Sequence, residues 1–192
     1  RKNYDIWALF LISKVLTVWF DCTGDKRIPD VLYRAMKNCY SMLSSGELHL
    51  FEWGKFRWFE CFPALSLIHR IYGEDWIISL GRLLREQGAD YSLFTEKWKR
   101  PLNRWALETH SVNLAMMLKS EAVSCDLLGE GMIGKADEYA DIIYKYNGLP
   151  TGVFTGDECL SGLRPIQGTE LCAVVELMYS CEWLYAATGD AK

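Results

Sequence analysis

The sequence predicts an all-α chain of serial helical hairpins, arranged as in a toroid or solenoid. Three observations lead there. Apolar residues recur with the 3.6-residue period of a helix along most of the chain. No stretch alternates with period two for long enough to make a convincing strand. A corner motif also recurs: "WFDCTGDKR", "HRIYGEDW", "CDLLGEGM" and "YAATGDAK" each close an apolar run with glycine and then an acidic residue. Glycine just past a helix takes the left-handed conformation that ends it, and the acid that follows can begin the next. Gly24, Gly73, Gly129 and Gly189 stand about 50 to 60 residues apart, room for two helices and their loops.

Taken in order, Ile6, Leu9, Phe10, Ile12, Leu16 and Phe20 mark a first helix, and Val31, Ala35, Met36, Cys39 and Leu43 its partner. Phe59, Phe62, Leu65 and Ile68 mark the next, followed by a helix over 76–85. Val112, Ala115, Met116 and Val123 continue the series, then come helices over 136–146 and 171–185. Turn-rich connections at 44–56, 88–104 and 147–168 are long for a compact helical array, and loops of that length usually carry function.

A chain of 192 residues has room for one domain with a real core. Half of its residues are hydrophobic, which argues against disorder. The net charge of −4 comes without a basic stripe interleaved with aromatics, so nucleic acid is not an expected partner. The longest apolar run, "IWALFLISKVLTVWF", is broken by Ser13 and Lys14 and is too short for a membrane span. Seven cysteines with no CxxC pair read as reduced thiols rather than a disulfide framework. Eight Trp and ten Tyr read as bulky core packing or as a sugar-stacking surface, and composition alone does not decide between them. The chain starts without Met and in the middle of a helical pattern, which suggests a fragment.

The chemistry concentrates in "GDECLSGLRPIQGTELCAVVE", residues 156–176. If Thr169 caps the helix, Glu170 takes its first position and favours the helix dipole, a sufficient reason for a carboxylate there. Yet Glu170, Val174, Leu177, Cys181 and Leu184 share one helical stripe, and a carboxylate facing a core needs a partner such as Arg or a metal. Cys172 lies two residues on, about 200° around a regular helix. Glu-x-Cys therefore chelates one ion only if Glu170 precedes the helix in a non-helical conformation; otherwise Cys172 is a core thiol. A carboxylate and a thiolate make half of a four-coordinate zinc site. Glu158, after "TGD", is either a solvated loop acid or a general acid placed in a buried cleft. His110 and Asn113 form a polar pair at the start of an apolar helix, as core groups or as contacts to sugar hydroxyls. In "FEWGKFRWFECF", Arg57 and Glu60 are spaced for an intrahelical pair, and Trp53 and Trp58 could line a carbohydrate cleft.

The segments "THSVNLAMMLK", "YNGLPTGVFTGDE" and "QGTELCAVVELMYSCEWLYAATGD" resemble the beta-L-arabinofuranosidase family, glycoside hydrolase family 127 and its relatives. The resemblance covers residues 105–192, and residues 1–104 fit through the helical repeat and its corners. It implies that residues 1–192 are part of an (α/α)6 catalytic barrel truncated at both ends. It also implies an oligosaccharide or glycan substrate and a retaining mechanism, with a zinc-bound cysteine as nucleophile and a glutamate as acid/base. By motif, Glu158 matches the acid/base, and Glu170 and Cys172 match the Glu-x-Cys zinc ligands. His110 matches a histidine lining the sugar site, and Asn113 stands where family members carry Arg. The family's nucleophile and last zinc ligand are an adjacent Cys-Cys pair, absent from these 192 residues, so the fragment is expected to bind zinc poorly and hydrolyse nothing alone. Two alternatives stand beside this reading. One is a non-catalytic carbohydrate-binding helical repeat; the other is a metal-independent (α/α) toroid sugar enzyme.

Overall fold

The computed structural model describes residues 4–100, 105–164 and 166–191. It is helical, as the sequence predicts. In chain order the helices are α1 (Trp7–Thr23), α2 (Arg27–Ser44), α3 (Glu52–Phe56), α4 (Phe62–Tyr72) and α5 (Asp75–Gln87). They continue with α6 (Thr95–Trp98), α7 (Ser111–Met117), α8 (Ser120–Leu128), α9 (Gly134–Asn147) and α10 (Leu171–Thr188). One minimal hairpin, β1 (Gly156–Asp157) and β2 (Cys159–Leu160), interrupts the last connection. No helix among the described residues is long and apolar enough to cross a membrane.

All four corner glycines behave as the motif implies. Gly24, Gly73, Gly129 and Gly189 have φ between 66° and 70°. Each donates its N–H to the carbonyl four residues back, those of Phe20, His69, Cys125 and Tyr185, at 2.7–3.0 Å. A Cβ at any of them would meet nothing within 4 Å, so conformation rather than crowding requires glycine. At the first two corners the acid that follows starts the next helix, whereas Glu130 pairs with Arg82 and α9 begins only at Gly134. Asp25 accepts from the N–H of Arg27 at 3.0 Å, and Glu74 is the residue from which α5 starts.

The chain divides into two compact units, Arg1–Ala89 with Val123–Glu130 and Asp90–Ala122 with Gly131–Lys192. In the first, α4 is the hub: Phe62 through Ile68 are buried on every side, and α1, α2 and α5 pack against it. Pro63 sits in its first turn, where a missing N–H costs nothing. Phe10, Leu32, Met36, Phe59, Leu65, Ile77 and Leu80 complete this core. Each such side chain contributes about 1.5–3 kcal/mol by leaving water.

Helix α1 faces the core differently from the expectation. Its buried line is Phe10, Ser13 and Thr17, while Ile12, Val15, Val18 and Trp19 point outward, about half exposed. The helix is apolar around most of its girth, so periodicity cannot fix its rotation. The buried hydroxyls are satisfied within the helix, Ser13 on the Phe10 carbonyl at 2.7 Å and Thr17 on that of Ser13 at 2.9 Å. Small, satisfied residues then allow the close approach. Asp5 clips α1 to α3: its carboxylate accepts the N–H groups of Trp7, Trp53 and Gly54 at 2.9–3.0 Å. Lys14 donates to the fully buried Glu60 at 2.7 Å, and Arg57 stacks between the rings of Trp7 and Trp53.

In the second unit α7 pairs with α10, and all seven residues of α7 are buried. The expected helical run from Val112 to Val123 breaks at Leu118 and Lys119, between α7 and α8. Lys119 turns fully inward there, donating to the Met116 carbonyl at 3.2 Å and to Glu176 at 3.4 Å. From Thr109 to Ser124 every residue is buried. Helix α10 buries Ala173, Leu177 and Ser180, with the Ser180 hydroxyl on the Ala115 carbonyl at 2.6 Å. The expected stripe through Val174, Cys181 and Leu184 is therefore rotated aside, and Cys181 is exposed. Small residues set the contact with α7, and Leu171, Val175 and Met178 face outward.

Candidate active site

One buried side chain ties the hairpin to the end of α9. Asn147, at the end of α9, donates from Nδ2 to the Trp98 carbonyl at 2.8 Å and accepts at Oδ1 from the N–H of Gly162 at 2.9 Å. Its carbonyl accepts from Thr155 N–H at 2.8 Å, and the Thr155 hydroxyl donates to the Gly162 carbonyl. Both ends of the hairpin are thereby tied to the end of α9.

The hairpin pairs Gly156 with Leu160 and Asp157 with Cys159, leaving Glu158 alone at the tip. So tight a reversal needs a positive φ, and Glu158 has φ 71°. A non-glycine residue held there costs about 1–3 kcal/mol and persists only where its surroundings over-determine it. They do. The Glu158 carbonyl accepts from the backbone N–H of Ser111 at 2.8 Å and from its hydroxyl at 3.1 Å. His110, one residue earlier, forms an antiparallel bridge with Cys159.

The Glu158 side chain meets two N–H donors. His110 begins α7 as its N-cap, and its Nδ1 accepts the N–H of Asn113 at 3.3 Å. That bond assigns the tautomer: Nδ1 presents its lone pair, so the proton sits on Nε2. Nε2 lies 3.3 Å from Oε2 of Glu158, and Trp105 Nε1 lies 3.4 Å from the same oxygen. The Trp105 and His110 rings meet edge to face, with centroids 6.2 Å apart. His110 is buried, whereas the Glu158 side chain is 60% exposed and Trp105 is 50% exposed. Of the two placements the sequence allows for Glu158, the solvated one holds: among the described residues no buried cleft surrounds it, and donor bonds and backbone geometry hold the carboxylate.

The second carboxylate lies alongside. Gly156 donates to the Gly168 carbonyl at 3.3 Å and accepts from Glu170 N–H at 3.2 Å, joining the hairpin to the start of α10. An added Cβ on Gly156 would fall 2.6 Å from the Ser111 Cβ, so glycine is what lets the strand lie against α7. The cap of α10 is Glu170, one residue later than the Thr169 expected; the Thr169 hydroxyl instead bonds the Phe154 carbonyl at 3.3 Å. Glu170 has the extended conformation, φ −70° and ψ 129°. That is the non-helical backbone which Glu-x-Cys chelation requires at this position. Oε2 of Glu170 accepts from the Ser111 hydroxyl at 3.2 Å. Cys172 is exposed in the first turn of α10.

Among the described residues no group of three or more His, Cys, Asp or Glu side chains is placed to hold a metal. A carboxylate and a thiolate are two of the four donors a zinc shell needs; here Glu170 turns Oε2 to the Ser111 hydroxyl while Cys172 is exposed. The positive end of the helix dipole opposes a cation at this point, so the negative charges of carboxylate and thiolate would have to carry the attraction.

The other two sugar-contact candidates are interior groups. Asn113 is fully buried, and its Nδ2 donates to the Leu107 carbonyl at 2.9 Å, closing the turn before α7. Trp58 is 5% exposed in the first unit, with its ring against the α-carbon of Gly88, where a Cβ would fall 2.2 Å from it. Neither is presented to a ligand here. Trp105 and Ser111, which the sequence reading passed over, are the residues in contact with Glu158. Ser111 follows His110 in "HSVN", but only the fold brings the hairpin onto it. No family model, curated protein or solved structure matches the chain.

Proposed function

We propose that the chain is part of the helical-toroid catalytic domain of a retaining glycoside hydrolase acting on arabinofuranosides or related sugars, with Glu158 as general acid/base. One observation carries the reading: Glu158 stands at a left-handed hairpin tip with the N–H groups of His110 and Trp105 both directed at its Oε2. The resemblance of residues 105–192 to the beta-L-arabinofuranosidase family points the same way.

The donors define how the acid would work. Oε2 accepts two N–H groups, so a proton on the carboxyl belongs on Oε1, the oxygen left for a leaving group. His110 is fixed as the Nε2–H tautomer by Asn113 and serves as a donor to the carboxylate that forms once the proton has gone. In the second half of the reaction the same Oε1 takes a proton from the attacking water. Bound at Glu170 and Cys172, zinc would supply a thiolate nucleophile at neutral pH, the nucleophile and remaining ligands lying outside these 192 residues. A metal-independent toroid enzyme would use the same His110–Glu158 pair, and the zinc content of the full-length protein separates the two.

The test is Glu158→Gln in the full-length protein. Turnover of a glycoside with a poor leaving group should fall by about 10²–10⁴-fold, the usual contribution of a positioned acid. A substrate with an activated aryl leaving group should lose far less. Equal losses on both would remove Glu158 from the role.

A further inference from the structure

We infer that Trp105 is the floor of the leaving-group subsite and that the group it receives is a second sugar ring. This rests on the acid/base reading of Glu158 above and on nothing at Glu170 or Cys172. Oε2 of Glu158 takes the N–H groups of Trp105 and His110 at 3.4 and 3.3 Å, so the acid meets its leaving-group oxygen through Oε1. That oxygen stands about 3 Å from Oε1, which puts whatever it carries about one sugar width from the indole. Trp105 meets Glu158 through the ring edge that bears its N–H, and a ring bound by its edge offers a face to a neighbour. The residue is 50% exposed, while the His110 imidazole beside it is buried. On a side chain of about 150–250 Å², half exposure leaves on the order of 100 Å² for a ring to cover.

The indole is held in place for that contact. Its ring packs on that of His110, with centroids 6.2 Å apart and an interplanar angle of 66°. One residue on, the Ala106 N–H donates to Cys159 Sγ at 3.4 Å, and the Cys159 thiol reaches the Ala106 carbonyl at 3.5 Å. Trp105 therefore lies beside Glu158 and Ala106 beside Cys159, which fastens the indole to the hairpin that carries the acid. An aromatic side chain fixed in advance loses little freedom when a ligand lands on it. The C–H groups on the flat of a sugar ring are apolar and slightly positive, which suits the electron-rich face of an indole. A small alcohol as leaving group presents no such surface.

The experiment uses the full-length protein and two substrates with the same glycosyl unit, a β-L-arabinofuranosyl disaccharide and methyl β-L-arabinofuranoside. The readout is the ratio of their kcat/KM values. Trp105→Phe, Trp105→Leu and Trp105→Ala all lack the N–H, so the acid suffers alike in the three and the ratio cancels that loss. The Phe variant keeps a ring and should hold the wild-type ratio within about twofold. The Leu and Ala variants should lower the preference for the disaccharide about 3- to 10-fold, chiefly through KM. Trp105→Leu keeps bulk against His110 and decides alone if the alanine variant does not fold. A wild-type ratio in Trp105→Leu, or a Leu-like ratio in Trp105→Phe, would overturn the proposal. A wild type that hydrolyses neither substrate, or a Glu158→Gln variant that loses equally on poor and activated leaving groups, defeats the acid/base reading instead, so the two failures are distinguishable.

Discussion

Replacing Gly156 with alanine tests the packing that brings the hairpin to α7. The new Cβ would lie 2.6 Å from the Ser111 Cβ and 3.1 Å from its Oγ. Carbon atoms prefer about 3.5–4.0 Å, so the gap is roughly 1 Å too small. Neither side yields easily. Ser111 is fully buried at the start of α7, and Gly156 is held by Gly168 and Glu170 through its own N–H and carbonyl. Overpacking of this kind costs about 1–3 kcal/mol. Alanine returns about 0.4–1 kcal/mol by restricting the unfolded chain, because φ at this position is not left-handed. The net expectation is a loss of about 1–2 kcal/mol, read from urea denaturation midpoints at unchanged slope. Ser111→Gly removes the opposing Cβ. Combined with Gly156→Ala it should therefore restore about 1 kcal/mol relative to the sum of the single changes. An alanine variant as stable as wild type, or strict additivity in the double, would refute the contact.

Three further outcomes are expected. Asp5→Ala strands the N–H groups of Trp7, Trp53 and Gly54 and should cost about 1.5–3 kcal/mol, with Asp5→Asn intermediate; equal losses in chemical denaturation would deny the charge a part. Thiol labelling followed by mass mapping should modify the exposed Cys22 and Cys172 first. Cys181 should follow more slowly, its thiol pushed up by partial burial. Cys39, pushed up to about 12 by burial, and Cys61, whose thiol burial also pushes well up, should react only on unfolding, and early labelling of either would contradict the core around α4. The hydrogen bond from Arg27 holds the Asp25 carboxyl down to about 2. A depressed carboxyl stabilises the fold above its unfolded range and ceases to do so as pH falls through about 2. Carbon NMR should find that low midpoint in wild type and a clearly higher one in Arg27→Ala, still short of the ordinary carboxylate range because the backbone N–H of residue 27 keeps donating to Asp25.

The corners were the most legible part of the fold, because a left-handed glycine is a local requirement that no tertiary contact need supply. Helix existence was legible too. Rotation was not: α1 and α10 are apolar on most sides, and their buried lines contain Ser13, Thr17 and Ser180, each satisfied by a carbonyl. Composition therefore pointed to the wrong stripe in both. At the site, the motif placed Glu158, His110 and Glu170 together, and the hairpin unites them. Trp58 and Asn113 misled for one reason: a tryptophan and an amide look alike in sequence whether they meet a ligand or the interior. Ser111 was invisible because its role depends on a loop that returns 47 residues later to present the Glu158 carbonyl.

The uninterrupted burial from Thr109 to Ser124 has an evolutionary consequence. Most helices drift in sequence along their wet side while the dry side holds still. This segment has no wet side, so it cannot drift piecemeal. Changes there should arise in compensated pairs, while the outward faces of α1 and α10 vary one residue at a time.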